Sequence, residues 1–301
     1  MWRCLACGSG YLDPRPTRGS IARAYEAADY LTHAPLARTE TNDRRMRRYW
    51  VALRQGYLNH RWGYHLHPAT PAGRFIVRLL PQGRLLDESI RHLPFPGPGS
   101  RLLDVGCGNG RFMMFMESLG WTVEGIDPDA AAIARAREAG LNARLGKAEQ
   151  LRPEDGLYEA ITMYHVIEHL HDPAEAIAHV RSCLKPTGLL YIATPNVRAR
   201  GHHRFDQHWL QLDPPRHLVL FSRAGLHSLV SSFGFEGLRY ERPTVASFGV
   251  ASASRAIAAG RDPRLNARAS PVLHAHANLK RLTARPRKQS GEELVLMATA
   301  G

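Results

Sequence analysis

Between residues 101 and 298 short apolar runs alternate with longer stretches whose apolar positions recur every three or four residues. Glycine, proline and acids separate the two kinds. The short runs predict seven strands, at 102–105, 122–126, 142–145, 158–164, 189–193, 238–241 and 293–298. The longer stretches predict helices. One runs from Phe112 to Leu119, and one spans 128–139 and is stopped by Gly140. A third starts at the box Asp172-Pro-Ala-Glu175 and reaches Leu184, and a fourth is capped by Ser222 and stopped by Gly234. Such alternation requires a Rossmann-like α/β fold, with a doubly wound, mostly parallel seven-stranded sheet and helices on both faces. Upstream, 20–95 reads as a helical N-terminal region with breaks, in which 21–30 and 41–58 carry aromatics. Tyr25 and Tyr30 are either lid residues or ordinary packing aromatics. Pro94-Phe-Pro-Gly-Pro-Gly99 is a linker into the domain 96–301.

The first strand carries the chemistry. Arg101-Leu-Leu-Asp-Val-Gly-Cys-Gly-Asn-Gly-Arg111 is a strand that ends in a glycine loop opening a helix. Glycine suits a loop that turns sharply and lets its backbone approach a ligand closely. Asp127, 19 residues past Gly108, closes the next strand, where a carboxylate can accept hydrogen bonds from both ribose hydroxyls. A nucleoside ligand follows. A dinucleotide fingerprint G-x-G-x-x-G needs glycine at 111, where Arg111 stands.

Composition changes this picture little. The 301 residues are 44% hydrophobic, enough for one α/β domain with appendages. No apolar run nears the ~20 residues of a membrane span, no signal peptide is visible and the four cysteines are not clustered as a framework, so the expectation is a cytoplasmic protein. The net charge of +13 resembles a nucleic-acid signal until it is divided along the chain. Residues 96–251 carry 16 Lys/Arg against 17 Asp/Glu, residues 1–95 carry 15 against 7, and 252–290 carry 9 against 1. The core is neutral and the flanks are basic. Solvated basic faces are expected, with no specific nucleic-acid partner.

The pattern Asp104-x-Gly106-x-Gly108-x-Gly110 resembles motif I of the class I S-adenosylmethionine-dependent methyltransferases. The resemblance implies that this loop, Cys107 included, cradles the amino-acid end of S-adenosylmethionine and that Asp127 holds its ribose. Gly146-Lys-Ala-Glu149 matches the loop that reads adenine in that family. Its usual acid is replaced by Lys147, which moves the expected contacts to Ala148 and Glu149. Met163-Tyr-His-Val-Ile-Glu-His-Leu170 resembles motif IV, which implies that His165 lies beside the sulfonium. Taken alone, His165-Val-Ile-Glu168-His169 is also the inverted zinc-peptidase signature, but that reading needs one helix through all five residues and the motif begins at a strand end. Some relatives hold Mg²⁺ with E-x-x-E-H. His165 replaces the first acid here, so no metal is expected.

Cys4-Leu-Ala-Cys7-Gly8 resembles the back half of the zinc ribbon that opens a small-molecule and sugar methyltransferase subfamily. Two thiols supply half of a tetrahedral site, so 1–19 reads as a ribbon remnant without metal. Phe205-Asp-Gln-His-Trp209 and Leu212-Asp-Pro-Pro-Arg-His-Leu218 resemble the substrate-side insertion of that subfamily, with His217 and Arg216 as base and anion clamp, or Arg216 simply paired with Asp213. Within 252–290, Val272, Leu273, Leu279 and Leu282 give a basic amphipathic helix suited to weak contact with an anionic membrane surface, or a mobile insertion. The function implied is methyl transfer from S-adenosylmethionine to a small-molecule acceptor, a sugar, lipid-linked compound or secondary metabolite, at O or N before C. His165 or His217 is the base. An RNA methyltransferase, an NAD-dependent oxidoreductase and a non-catalytic cofactor-binding scaffold are the alternatives.

Overall fold

The computed structural model describes residues 1–25, 44–242, 246–263 and 290–301. The expected lid residue Tyr30, the start of the helix expected at 41 and the amphipathic positions Val272, Leu273, Leu279 and Leu282 lie outside the described residues. In chain order the strands are β1 (Trp2–Arg3), β2 (Gly10–Tyr11), β3 (Arg101–Val105), β4 (Thr122–Asp127), β5 (Ala143–Leu145), β6 (Tyr158–Tyr164), β7 (Leu184–Pro195), β8 (Val219–Leu220), β9 (Phe235–Glu241) and β10 (Glu293–Ala300). The α-helices are α1 (Arg44–Trp62), α2 (Gly73–Leu79), α3 (Pro81–Ser89), α4 (Arg111–Glu117), α5 (Ala130–Glu138), α6 (Pro173–Ser182), α7 (Arg200–Phe205), α8 (Arg223–Ser231) and α9 (Ala246–Ala258).

The main sheet has seven strands in the order β5-β4-β3-β6-β7-β10-β9 and is mostly parallel, with helices around it: the Rossmann-like arrangement that the alternation requires. β3 pairs in parallel with β4 and β4 with β5, whereas β10 and β9 are antiparallel. Strand order reverses between β3 and β6, and open α/β sheets bind ligands at such a switch point.

Contacts divide the chain into two compact units. One comprises Ala28–Thr162 and Cys183–Leu189. Its core is built from the near-continuous apolar run of β3, buried from Leu102 to Val105, with Ile126, Met113, Met116 and Tyr158. Asp129 caps α5 by accepting the N–H groups of Ala131 and Ala132. The other unit comprises Met1–Ala27, Met163–Ser182 and Leu190–Gly301. It buries β10 from Glu293 to Ala298, together with a cluster of Ala199, Trp209, Leu220 and Val250, and it contains a small antiparallel sheet of β1, β2 and β8.

Local differences from expectation have physical causes. Lys185-Pro-Thr-Gly188, expected as a turn before a strand at 189, lies inside β7. Thr187 keeps the left-handed φ of a turn, +62°, while Tyr158 N–H donates to Cys183 O at 2.9 Å and Lys185 pairs with Glu159, so the strand begins ahead of the turn residues and carries the turn within it. β9 begins at Phe235 rather than 238, because Ala300 and Thr299 continue the ladder opposite Phe235 and Glu236. The helix after the glycine loop runs from Arg111 to Glu117. At the expected box, Glu175 N–H donates to Asp172 Oδ1 at 2.9 Å.

Candidate functional site

In the unit containing β3, the glycine loop adopts backbone angles that side chains resist, with φ of +75° at Gly106, +53° at Gly108 and +83° at Gly110. At Gly110 space is closed as well, since a Cβ would lie 2.2 Å from Leu141 Cδ1. Asp127, buried at the end of β4, ties the loop to the strand. Gly108 N–H donates to its Oδ2 and Asp129 N–H to its Oδ1, both at 2.8 Å. Burial raises its carboxyl above the ordinary range, the two N–H bonds opposing this only in part. Each oxygen keeps a lone pair for a ribose hydroxyl, and an acid already partly desolvated gives up little water on accepting one. Burial, with Asp104 and Asp127 nearby, pushes the Cys107 thiol far up, so Cys107 packs under the loop without reacting.

Asp104 is held in a way that the sequence did not announce. Arg91, itself buried, pairs with Asp104 Oδ1 and donates to Thr162 Oγ1 at 2.6 Å, and Thr162 donates to the same oxygen at 2.9 Å. The guanidinium lies 3.4 Å from the centroid of Phe112 on α4. The available signal was a charge inside the apolar frame Ile90-Arg91-His92-Leu93, since a cation among fully buried neighbours needs a buried anion. In the loop after β5, Ala148 is buried, and Glu149 Oε2 is buried without a hydrogen-bond partner among the described residues. An orphaned acceptor costs about 1–3 kcal/mol, and the exocyclic amine of a purine is a donor of the kind it lacks.

The second unit gathers the histidines. His165 sits just past β6 at φ +53°, a left-handed conformation rare for a side-chain-bearing residue, with its own N–H bonded to Ala193 O at 2.9 Å. Its Nδ1 is 3.0 Å from Glu168 Oε1 and its Nε2 is 2.9 Å from Glu293 Oε1. Two carboxylates accepting from both ring nitrogens require both to carry protons. Burial pulls the imidazolium down, but the bonds and charges of Glu168 and Glu293 prevail and raise it to about 10. Glu168, fully buried, also accepts from Thr194 Oγ1 at 2.9 Å. Burial raises its carboxyl, yet His165 dominates and lowers it to about 2.

His169 and His217 meet edge to face with ring centroids 4.7 Å apart. Nδ1 of His217 is 2.8 Å from Gln211 O, and Nδ1 of His169 is 3.0 Å from Arg216 O and 3.1 Å from Tyr25 Oη. Both Nδ1 atoms therefore donate to backbone carbonyls. Burial lowers His217, which keeps its imidazole neutral at pH 7. Glu168, His169 and His217 each bring a ligand atom within 4.8 Å of the others, a set able to hold a divalent cation. The sequence motif offered His169 with Glu168 but not His217 as their neighbour. Arg216 forms an ion pair with Asp213 (Nε to Oδ2 2.8 Å), the second of its two expected roles. The motif around His165 is not one helix. It leaves β6 through a 3₁₀ turn at Ile167–His169, so the peptidase geometry is absent.

The family model for "Methyltransferase domain" matches residues 77–240, more than half of the chain. The chain belongs to this methyltransferase-domain family. Among curated relatives, it is 34% identical over 138 residues to the ubiquinone biosynthesis O-methyltransferase of Caulobacter vibrioides, covering 44% of this chain and 54% of that protein. It is 37% identical over 106 residues to the protein of the same name from Xanthomonas campestris pv. campestris, covering 33% and 44%. The chain spans about half the length of the curated relatives it matches. Among solved structures it resembles a chain of the Haloferax volcanii complex between the Trm112 methyltransferase activator and a methyltransferase, with 14% identity, a TM-score of 0.51, and coverage of 87% of this chain and 99% of that one. That likeness is one of fold. The methyltransferase-domain match spans Asp104, Asp127, Glu149, His165 and His217, and leaves α1, most of α2 and β10 with Glu293 outside it.

Proposed function

We propose that the chain transfers a methyl group from S-adenosylmethionine to a hydroxyl, or second an amine, of a small-molecule acceptor. The observation that carries this is Asp127, a buried acid at the tip of β4 whose carboxylate is bonded to the glycine loop through Gly108. The unpartnered Oε2 of Glu149 supports the fit, since it is an acceptor waiting for a donor in the loop where adenine is expected. Asp104, Gly106, Cys107, Gly108 and Gly110 would line the amino-acid end, Asp127 would hold the ribose, and Ala148 and Glu149 would flank the base. Bound there, the cofactor supplies an electrophilic methyl on a sulfonium. The names of the curated relatives favour oxygen as the accepting atom.

The chain's own share of the chemistry is position and a proton. His217 serves as the base. Its Nδ1–H is fixed on Gln211 O, so its Nε2 is free to accept the acceptor's proton. His165, which sequence reading offered equally as base, is held as an imidazolium by Glu168 and Glu293 and has no lone pair to give. It supplies fixed positive charge and orientation instead. No helix among the described residues is long and apolar enough to cross a membrane. We read the protein as cytoplasmic, its segment 252–290 making at most weak contact with anionic membrane surfaces.

Calorimetry tests the reading. S-adenosylhomocysteine binds and NAD does not, and Asp127→Ala weakens the first by about 10- to 100-fold, equivalent to ~1.5–3 kcal/mol, without unfolding the protein. NAD binding, or unchanged affinity in a folded Asp127→Ala protein, defeats it. Product mass from labelled cofactor and a metabolite extract then identifies the acceptor.

A further inference from the structure

Helices α1 and α2 approach each other more closely than side chains permit. A Cβ on Gly73 would lie 2.0 Å from Leu53 O, and one on Gly56 would lie 1.9 Å from Thr70 O, so glycine at both places lets backbone meet backbone. Beside this contact open two adjoining cavities of about 170 and 340 Å³, which share His60 and Arg74. The smaller is lined by Tyr57, His60, Arg61, Arg74 and Arg78.

Its charge is unbalanced among the described residues. Three guanidiniums line one space, and Asp87, the carboxylate that Arg61 meets, is already occupied: it accepts from Tyr57 Oη at 2.9 and 3.0 Å and from Trp62 Nε1 at 2.6 Å, and it lies 3.2 Å from Arg61 Nε. Binding Arg61 through Nε fixes the side chain and leaves its two Nη groups for another acceptor. Arg74 lies over the ring of Phe75, 4.4 Å from its centroid, and neither Arg74 nor Arg78 is paired with a carboxylate among the described residues. Like charges held together on a close-packed pair of helices repel, and a multiply charged anion relieves that repulsion. Guanidinium forks match phosphoryl oxygens two at a time. Along the same helix Phe75 is 60% exposed and Leu79 is 83% exposed, which gives the apolar part of a ligand a surface to lie on.

We propose that the cleft between α1 and α2 binds a phosphate ester, its phosphoryl group held by Arg61, Arg74 and Arg78 and its apolar portion lying on Phe75 and Leu79. The site shares no residue with the nucleoside loop, and Arg61, Arg74 and Phe75 precede the segment that the family shares, whereas Arg78 and Leu79 lie at its start. The phosphoryl group can belong to a free metabolite or to a lipid headgroup.

Titration calorimetry at fixed ionic strength tests this, with S-adenosylhomocysteine present so that the nucleoside loop is occupied and inorganic diphosphate as probe. A parallel arm measures co-sedimentation with vesicles of phosphatidylcholine alone or with phosphatidylglycerol. Saturable diphosphate binding that weakens at least tenfold in R74Q/R78Q supports the proposal and a free phosphate ester as source. Capture by phosphatidylglycerol vesicles only, lost in R74Q/R78Q and in F75S/L79S, supports it with a lipid headgroup as source. All four side chains are exposed, and R78E alone is the second variant if the paired change lowers the melting temperature. Absence of both kinds of binding in the wild type, or binding that R74Q/R78Q and R78E leave unchanged, overturns it.

Discussion

His165 shows how much of one residue's behaviour lies in its neighbours. The motif named the side chain, but only the fold brings Glu293, 128 residues away, onto its second nitrogen. The pair has a pH signature. A histidine raised to about 10 stabilises the folded state fully below its unfolded value near 6.5, and that stability is lost as pH rises from there through 10. Chemical denaturation should therefore show stability falling by about 2–4 kcal/mol between pH 6.5 and 10, and His165→Gln should flatten the curve. A slope unchanged by the substitution refutes the clamp. His217 is predicted to behave in the opposite way, as a group that works. With neutral imidazole favoured by burial, His217→Gln should lower kcat about 10²- to 10⁴-fold while affinity for S-adenosylhomocysteine stays within twofold. Equal loss in both would make His217 structural. Asp104 and Arg91 form the third residue-scale case. Arg91→Met strands a buried carboxylate and should cost ~3–5 kcal/mol, and Asp104→Asn in the same chain should recover part of it. Strict additivity in that double-mutant cycle would show that the two groups do not interact. The frame around Arg91 signals that a buried anion is needed but does not name it, because an ion pair 13 residues apart leaves no periodic trace.

At the scale of elements the sequence was most informative where burial on both faces makes a run continuous. β3, β4 and β6 fell where Leu102, Val123 and Tyr158 placed them, and the loop from Gly106 to Gly110 turned where three glycines allowed it. It was least informative where a partner strand decides the outcome. Pro186, Thr187 and Gly188 are turn residues by local chemistry and Thr187 does take the left-handed φ of +62°, yet β7 starts ahead of them at Leu184, where Tyr158 of β6 donates to the adjoining Cys183 O. β9 begins with Phe235-Glu-Gly, a poor strand start that its register with β10 imposes. The nucleoside loop was thus readable, being local to one loop and two strand tips. The histidine cluster of the other unit was readable only as separate motifs, because no local pattern relates Glu168 to His217, which lie 49 positions apart and are brought together by the backbone bond from Leu218 N–H to Glu168 O at 2.8 Å.

For the whole molecule, the net charge of +13 invites a nucleic-acid function, and the distribution of charge argues against it. RNA binding should be weak and indifferent to sequence, and log affinity should fall by ~0.7–0.9 per phosphate contacted for each unit of log salt. Filter binding across a salt series checks this, with affinity expected to vanish near physiological salt. Methyl transfer from labelled cofactor to total RNA, abolished by Gly106→Arg, would defeat the small-molecule reading. The two outermost strands of the main sheet carry a different consequence. β5 is three residues long, while β9 bears Glu236, Arg239 and Glu241 and faces a register shift in β10 between Met297 and Thr299. Neither border offers a long, flat, apolar row of free N–H and C=O groups on which a foreign strand could template. A sheet so bordered resists polymerising edge to edge, so the folded chain presents little on its main sheet for an unfolded neighbour to copy.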